Sequence, residues 1–203
     1  MAHDRIPPQL HELAASLQAF AFHRSLKGPP TGTFRSDTAR DVASILEVNP
    51  DVAWWNTSAP QIETTHGDHL PDFEMSDVGG VRWLLDAPDR KSPIDGELLV
   101  GETRLRGFRY RVLSRDEIYD GFRLRNARDL LRYTGHNVPL GDRVRVLAAL
   151  DENGSLALSE LLGAVRETQP VAALASMILR GFVEVELDDA LIGPETQVRR
   201  IRG

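Results

Sequence analysis

Apolar and polar residues alternate in two short runs near the middle of the chain, Leu70–Met75 and Val81–Leu85, with Gly79-Gly80 between them. A period of two marks half-buried strands, and Gly-Gly accepts the positive backbone angles of a tight hairpin. Before the hairpin the period lengthens. Ala39, Val42, Ala43 and Leu46 recur at helical spacing, Ser36 or Asp37 suits the cap of the first turn, and Asn49-Pro50 ends the helix. Val52–Asn56 and Ile62–Thr65 then read as strands, broken at Pro60. Trp54 and Trp55 cannot share one face of a strand, so one of them is expected to pack on the preceding helix.

After the hairpin, 93–106 is ambiguous. Leu98, Leu99 and Leu105 suit a helix, but Gly96 and Gly101 each weaken it by roughly 1 kcal/mol. Phe108–Leu113 alternates as a strand. Leu124–Tyr133 is an amphipathic helix with Leu124, Ala127, Leu130 and Leu131 inward and Arg125, Arg128 and Arg132 outward. The grammar changes after Gly135–Gly141. Val144, Leu147, Ala148 and Leu150 predict one helix, Ser159–Val165 a second, and Pro170–Arg180 a third that starts on proline and stops at Gly181. Phe182–Leu187 follows as a strand. Three short helices and a strand suggest a winged-helix-like module.

Residues 1–35 read as an arm, with a short helix over 11–22 and a Gly/Pro break at Lys27–Gly32. The expected organisation is an arm (1–35), an α/β core (36–134) and a C-terminal module with a tail (135–203).

Composition narrows the classes. The 203 residues contain no cysteine, which removes disulfides and thiolate metal sites. No apolar run approaches the ~18 residues of a membrane helix, and the first residues lack the pattern of a secretory signal, so no membrane partner and a cytoplasmic location are expected. The net charge of −6 argues against a general nucleic-acid coat. The charge is uneven, however. Between Arg104 and Arg132 nine arginines face four acids, so this stretch carries +5 and the rest −11. Such asymmetry suits either an anion-binding face, drawn from Arg104, Arg106, Arg109, Arg111, Arg125, Arg128 and Arg132, or an ordinary solvated surface. Arg199-Arg200-Ile201-Arg202 likewise reads as a solvated tail rather than a phosphate contact.

The hairpin carries the candidate chemistry. Asp72 lies on its first strand and Asp86 ends its second. Two acids on adjacent strands are one way to hold a divalent metal, and Glu74 alternates with Asp72 as a further ligand. The plainer alternative is a surface hairpin with solvated acids. His66, Asp68, His69 and Asp72 offer a second, imidazole-containing set, against which stands a simple polar loop.

The series Ser36-Asp37, Leu46 to Val52, Ala59-Pro60-Gln61, Leu70-Pro71-Asp72-Phe73, Trp83 to Asp86, Tyr110 to Leu113 and Leu124-Arg125-Asn126 resembles, in order and distance, the TnsA family of transposon-end endonucleases. The resemblance spans about residues 36–190. It implies a restriction-endonuclease-like mixed sheet flanked by helices, followed by a small winged-helix-like module. The family's catalytic aspartate falls on Asp72 and its second acidic position on Asp86. Its helix glutamate falls on Ala39 and its lysine on Pro88.

Those departures set the functional expectation. Proline has neither a side-chain donor nor a backbone N–H. A displaced lysine would have to be Lys91, three residues late. Glu47 lies about 12 Å along the helix from Ala39, too far to replace the lost acid. The expectation is therefore a degenerate, non-cleaving core without a cofactor, associated with the DNA backbone and with a transposase or another DNA-processing partner. One rival is an active Mg²⁺- or Mn²⁺-dependent endonuclease using Asp72, Asp86 and Lys91, with metal on Asp72, Glu74 and Asp86. The other is a protein-interaction module without nucleic acid. The third helix of the C-terminal module, with one base and no Asn, Gln or Lys, is expected to pack rather than to read bases.

Overall fold

The structure, a computed structural model, describes residues 19–20 and 25–201. It is a mixed α/β protein, and its residues cluster into two compact units. The first includes Lys27–Ala43 and Asp51–Ser114; the second includes Ser44–Pro50 and Arg115–Gly203.

In chain order, β1 (Ala19–Phe20) pairs with β2 (Gly32–Thr33). Ala19 and Phe20 are thus strand, not the end of a helix; the remainder of the helix expected over 11–22 lies outside the described residues. Helix α1 (Asp37–Val48) starts as the pattern requires, with Ser36 Oγ accepting the N–H of Ala39 at 3.1 Å. Strand β3 (Val52–Asn56) is followed by a small hairpin, β4 (Ile62–Thr64) and β5 (Gly67–His69). Next come β6 (Phe73–Asp77), β7 (Arg82–Asp86), helix α2 (Gly96–Leu105) and β8 (Arg109–Val112). Strands β3, β6 and β7 form an antiparallel meander, α2 carries the chain over, and β8 lies parallel to β7, giving a mixed sheet in the order β3-β6-β7-β8.

The β6–β7 hairpin closes as expected. Gly80 has a positive φ of 80°, and the Asp77 carboxylate accepts the N–H of Val81 at 2.9 Å and the Trp83 indole N–H at 3.2 Å. These bonds, that of Val81 first, hold Asp77 below the usual carboxylate range. Helix α2 resolves the ambiguity of 93–106. Asp95 caps it by accepting the N–H groups of Glu97 and Leu98, and Gly96 then falls in the first turn, where it costs least.

Register sorts the side chains by face. Trp55, Phe73 and Leu85 share one face with Arg111; Glu74, Leu84 and Tyr110 share the other. On the first face Trp55, 2% exposed, meets Phe73 and Phe34 at ring centroid distances of 6.0 and 6.3 Å. Trp54 points out at 39%. Phe73 comes from a neighbouring strand and Phe34 from the segment before α1. Gly28 lies over its indole, where a Cβ would come within 2.3 Å of the ring. On the opposite face Leu84 and Tyr110 join Ile62, Ile94 and Leu99 in a buried cluster.

The second unit contains α3 (Arg115–Tyr119), α4 (Arg123–Leu131), α5 (Leu140–Asn153), β9 (Ser155–Ala157), α6 (Leu158–Leu162), α7 (Pro170–Leu179), β10 (Val183–Val185) and β11 (Gln197–Arg200). From α5 onward the succession is helix, strand, helix, helix, strand, strand, with the last strand between the other two. That is the connectivity of a winged helix. Arg199 and Arg200 are strand rather than tail: they belong to this central strand, fixed by buried Val198 between β9 and β10, while Arg202 lies outside the described residues. Arg200 is ion-paired to Asp151. Four residues with one inward side chain are too short a period to stand out in the sequence.

Two acids hold this unit's irregular segments. Asp142, fully buried in the first turn of α5, accepts the N–H groups of Arg166 and Glu167 and a guanidinium N–H of Arg145. Burial alone would raise its pKa, but these donors outweigh it and hold the group below the usual range. Asp188, bonded to Arg123, is lowered as well. A carboxylate with a depressed folded pKa stabilises the fold above its unfolded value of about 3.9, and this is lost as pH falls through the folded value. Thermal melts should therefore be flat near neutrality and fall steeply below about pH 4. Asp142→Asn should flatten that acid limb, and an unchanged limb would refute the assignment.

Candidate functional site

The antiparallel register brings the end of β7 beside the residue that precedes β6. Asp72 donates its backbone N–H to Asp86 Oδ1 at 2.9 Å, so the two acids singled out in the sequence are immediate neighbours. Both are buried. Pro71, lacking an N–H, cannot donate to a ladder, and the paired strand begins only at Phe73.

Each carboxylate is already engaged. Asp86 Oδ2 accepts from His69 Nε2 and from the Tyr110 hydroxyl, both at 2.6 Å. An ionised carboxylate only accepts, so this assigns the His69 proton to Nε2. Burial first, and the bond to Asp86 second, push the Tyr110 phenol far above its ordinary value. Asp72 is held from the other side. Arg35 Nε reaches its Oδ1 at 2.9 Å and Arg35 Nη2 its Oδ2 at 3.0 Å, a two-pronged guanidinium–carboxylate pair. The same Nη2 reaches Asp89 Oδ1 at 3.1 Å. Asp72 also accepts the N–H of Ala87 at 3.0 Å and Arg90 Nη1 at 3.4 Å. The bond to Asp72 raises the Arg35 pKa further above its already high value.

The remaining sequence candidates do not join this cluster. Glu74 pairs with Arg82, whose Nε and Nη2 lie 3.1 and 2.5 Å from its Oε1. Lys91 is exposed in the segment after β7. Asp68 bonds to Gln61 and His66 to Thr65, while His69 turns inward to Asp86, so the imidazole-containing set is dispersed. Glu47 accepts from Ser25 Oγ at 2.8 Å and from the N–H of Leu26, a structural tie. Among the described residues no three His, Asp or Glu side chains converge as a metal-ligand set.

A divalent ion needs carboxylate oxygens turned toward it. Here both Asp72 oxygens face a guanidinium, and both Asp86 oxygens face internal donors. The residues as arranged do not fit a metal.

The seven arginines singled out by charge are all exposed. Arg104 lies in the last turn of α2, and Arg106 follows it and donates to the Glu63 carbonyl at 2.9 Å. Arg109 and Arg111 share one face of β8, with Arg109 5.2 Å from the Trp83 ring centroid. Arg125 and Arg128 lie on α4 and Arg132 directly follows it, at helical spacing. The first four belong to the first unit and the last three to the second.

Sequence reasoning missed Arg35, Asp89 and Arg90 as partners of Asp72, and His69 and Tyr110 as partners of Asp86. Only Tyr110 carried a signal, as the aromatic at the inward position of an alternating strand. No protein-family model matches this chain and no curated protein matches it, so the geometry of the site is what bears on its function.

Proposed function

We propose that the chain is a TnsA-like protein with a degenerate nuclease core, serving as a DNA-associated or structural subunit beside a transposase or another DNA-processing partner. Support comes from the succession α1-β3-β6-β7-α2-β8, a helix, a three-stranded meander, a helix and a parallel strand. Such a mixed sheet suits a restriction-endonuclease-like core. The neighbouring acids at the adjoining ends of β6 and β7 suit its metal corner.

One observation carries the degenerate half: every oxygen of Asp72 and Asp86 is satisfied within the protein. Phosphodiester hydrolysis in this fold uses the carboxylates to bind a metal and a lysine to steady the attacking water. Pro88 stands where the lysine belongs, and Ala39 where the helix acid belongs. Plasmid incubated with Mg²⁺ or Mn²⁺ should stay intact. Nicking that Asp72→Ala abolishes would instead establish the active-endonuclease rival.

The DNA half rests on the exposed arginines, which suit phosphate contacts without base preference. Duplex binding should weaken steeply with salt, with a smaller log–log slope after Arg109→Ala and Arg111→Ala. A salt-independent affinity, or none, would remove this half.

A second reading, a protein-interaction module without nucleic acid, is favoured by α7. This helix is buried from Ala172 to Met177 and has no face to lay in a groove. The segment joining β10 to β11 is acidic, with Glu186, Asp188, Asp189 and Glu195. Partner capture that survives nuclease treatment would favour this reading.

A further inference from the structure

Asp86 is closed to a metal by His69, Tyr110 and the Asp72 N–H, whereas on the Asp72 side both carboxylate oxygens meet one guanidinium. Arg35 presents Nε and Nη2 to the two oxygens of Asp72, and Nη2 also reaches Asp89. The group that bridges these carboxylates is a cation on a tether. Phe34, the preceding residue, is buried, 6.3 Å from the rings of both Trp55 and Phe73. The backbone at Arg35 is thus anchored beside the aromatic core, and the half-buried guanidinium is held by its bonds to Asp72 and Asp89.

We propose that the Arg35 guanidinium stands in for a divalent cation, and that removing its charge opens a Mg²⁺/Mn²⁺ site on Asp72 and Asp89. The inference rests on the degenerate-nuclease reading and names what closes its metal corner. The corner holds three carboxylates (Asp72, Asp86, Asp89) against two guanidinium groups (Arg35, Arg90), so loss of Arg35 leaves it more negative. Without Arg35 the buried Asp72 carboxylate keeps the Ala87 N–H and, as counter-charge, Arg90, which also donates to the Leu70 carbonyl at 2.5 Å. A buried carboxylate short of a counter-charge either takes up a proton or recruits a cation. Mg²⁺ and Mn²⁺ accept sites of one or two carboxylates completed by water. Asp86 is not needed for this site and stays with His69 and Tyr110.

The test uses Arg35→Met, which keeps an unbranched stem and removes the charge, with Arg35→Met/Asp72→Asn as the control. Binding is read by the electron paramagnetic resonance signal of free Mn²⁺, and stability by thermal melts with and without Mn²⁺. Arg35→Met should bind Mn²⁺ roughly tenfold tighter than the native chain or better, and Mn²⁺ should raise its melting temperature. The double variant should lose both effects. Binding by Arg35→Met no tighter than native, or retained in the double variant, overturns the proposal. If Arg35→Met fails to fold even with Mn²⁺, the double variant decides: folding supports a charge-balancing Arg35, and failure to fold rejects it. If the native chain itself binds Mn²⁺ as tightly as Arg35→Met, the degenerate-nuclease reading falls as well. If neither chain binds, only the stand-in role of Arg35 falls.

Discussion

Asp86→Ala is expected to cost about 4 kcal/mol in urea or thermal unfolding, because it strips the acceptor from three buried donors at once. Those donors are the Asp72 N–H, His69 Nε2 and the Tyr110 hydroxyl. Each buried donor left without a partner costs about 1–3 kcal/mol, and the three losses overlap because the donors converge on one carboxylate. Against a typical domain stability of about 5–15 kcal/mol, this is a large fraction. The sign discriminates between functions. In a working metal site the acidic ligands repel one another, and replacing one commonly stabilises the fold at the expense of activity. Here Asp86 is a structural hub that accepts three buried donors, so its loss destabilises. An Asp86→Ala chain that melts at or above the native temperature would contradict the degenerate reading at its root.

Asn126→Ala should be the next most damaging change, at about 3 kcal/mol. Asn126, 1% exposed, donates to the carbonyls of Leu187 and Ala190 and accepts the N–H of Ile192, each at 2.8–3.0 Å. It thus satisfies three backbone groups of an irregular segment that has no ladder to pair with. The near-isosteric Asn126→Asp is the sharper test. It keeps the acceptor and the shape but turns an oxygen toward the two carbonyls, so it should be at least as damaging as alanine. If Asn126→Asp were neutral, the hydrogen bonds would not be what holds this segment. Gly121 shares the same junction: a Cβ there would meet the Asp188 carbonyl at 2.8 Å, and its φ of 66° already favours glycine.

The chain announces its regular elements because their periods are local. The Gly79-Gly80 hairpin, the stripe of α1 and the apolar side of α4 need only neighbours a few residues away, and each is where the pattern puts it. Helix α2 was obscured because two glycines advertise a break while its cap, Asp95, is a single residue. Strand β11 was hidden because only Val198 turns inward. The acids of the site were legible, but their partners were not. Arg35 meets Asp72 across 37 residues, and Tyr110 meets Asp86 across 24, over a parallel pairing that no turn announces. Contacts of that kind are set by how the sheet is assembled, not by spacing along the chain.

The enclosure of α7 has a practical corollary for genetics. A screen for loss of function will gather hits along 172–179, where alanines, leucine and methionine are packed on every side. Such alleles will behave as temperature-sensitive or low-abundance proteins, and mapping them as a contact surface would mistake solubility for recognition.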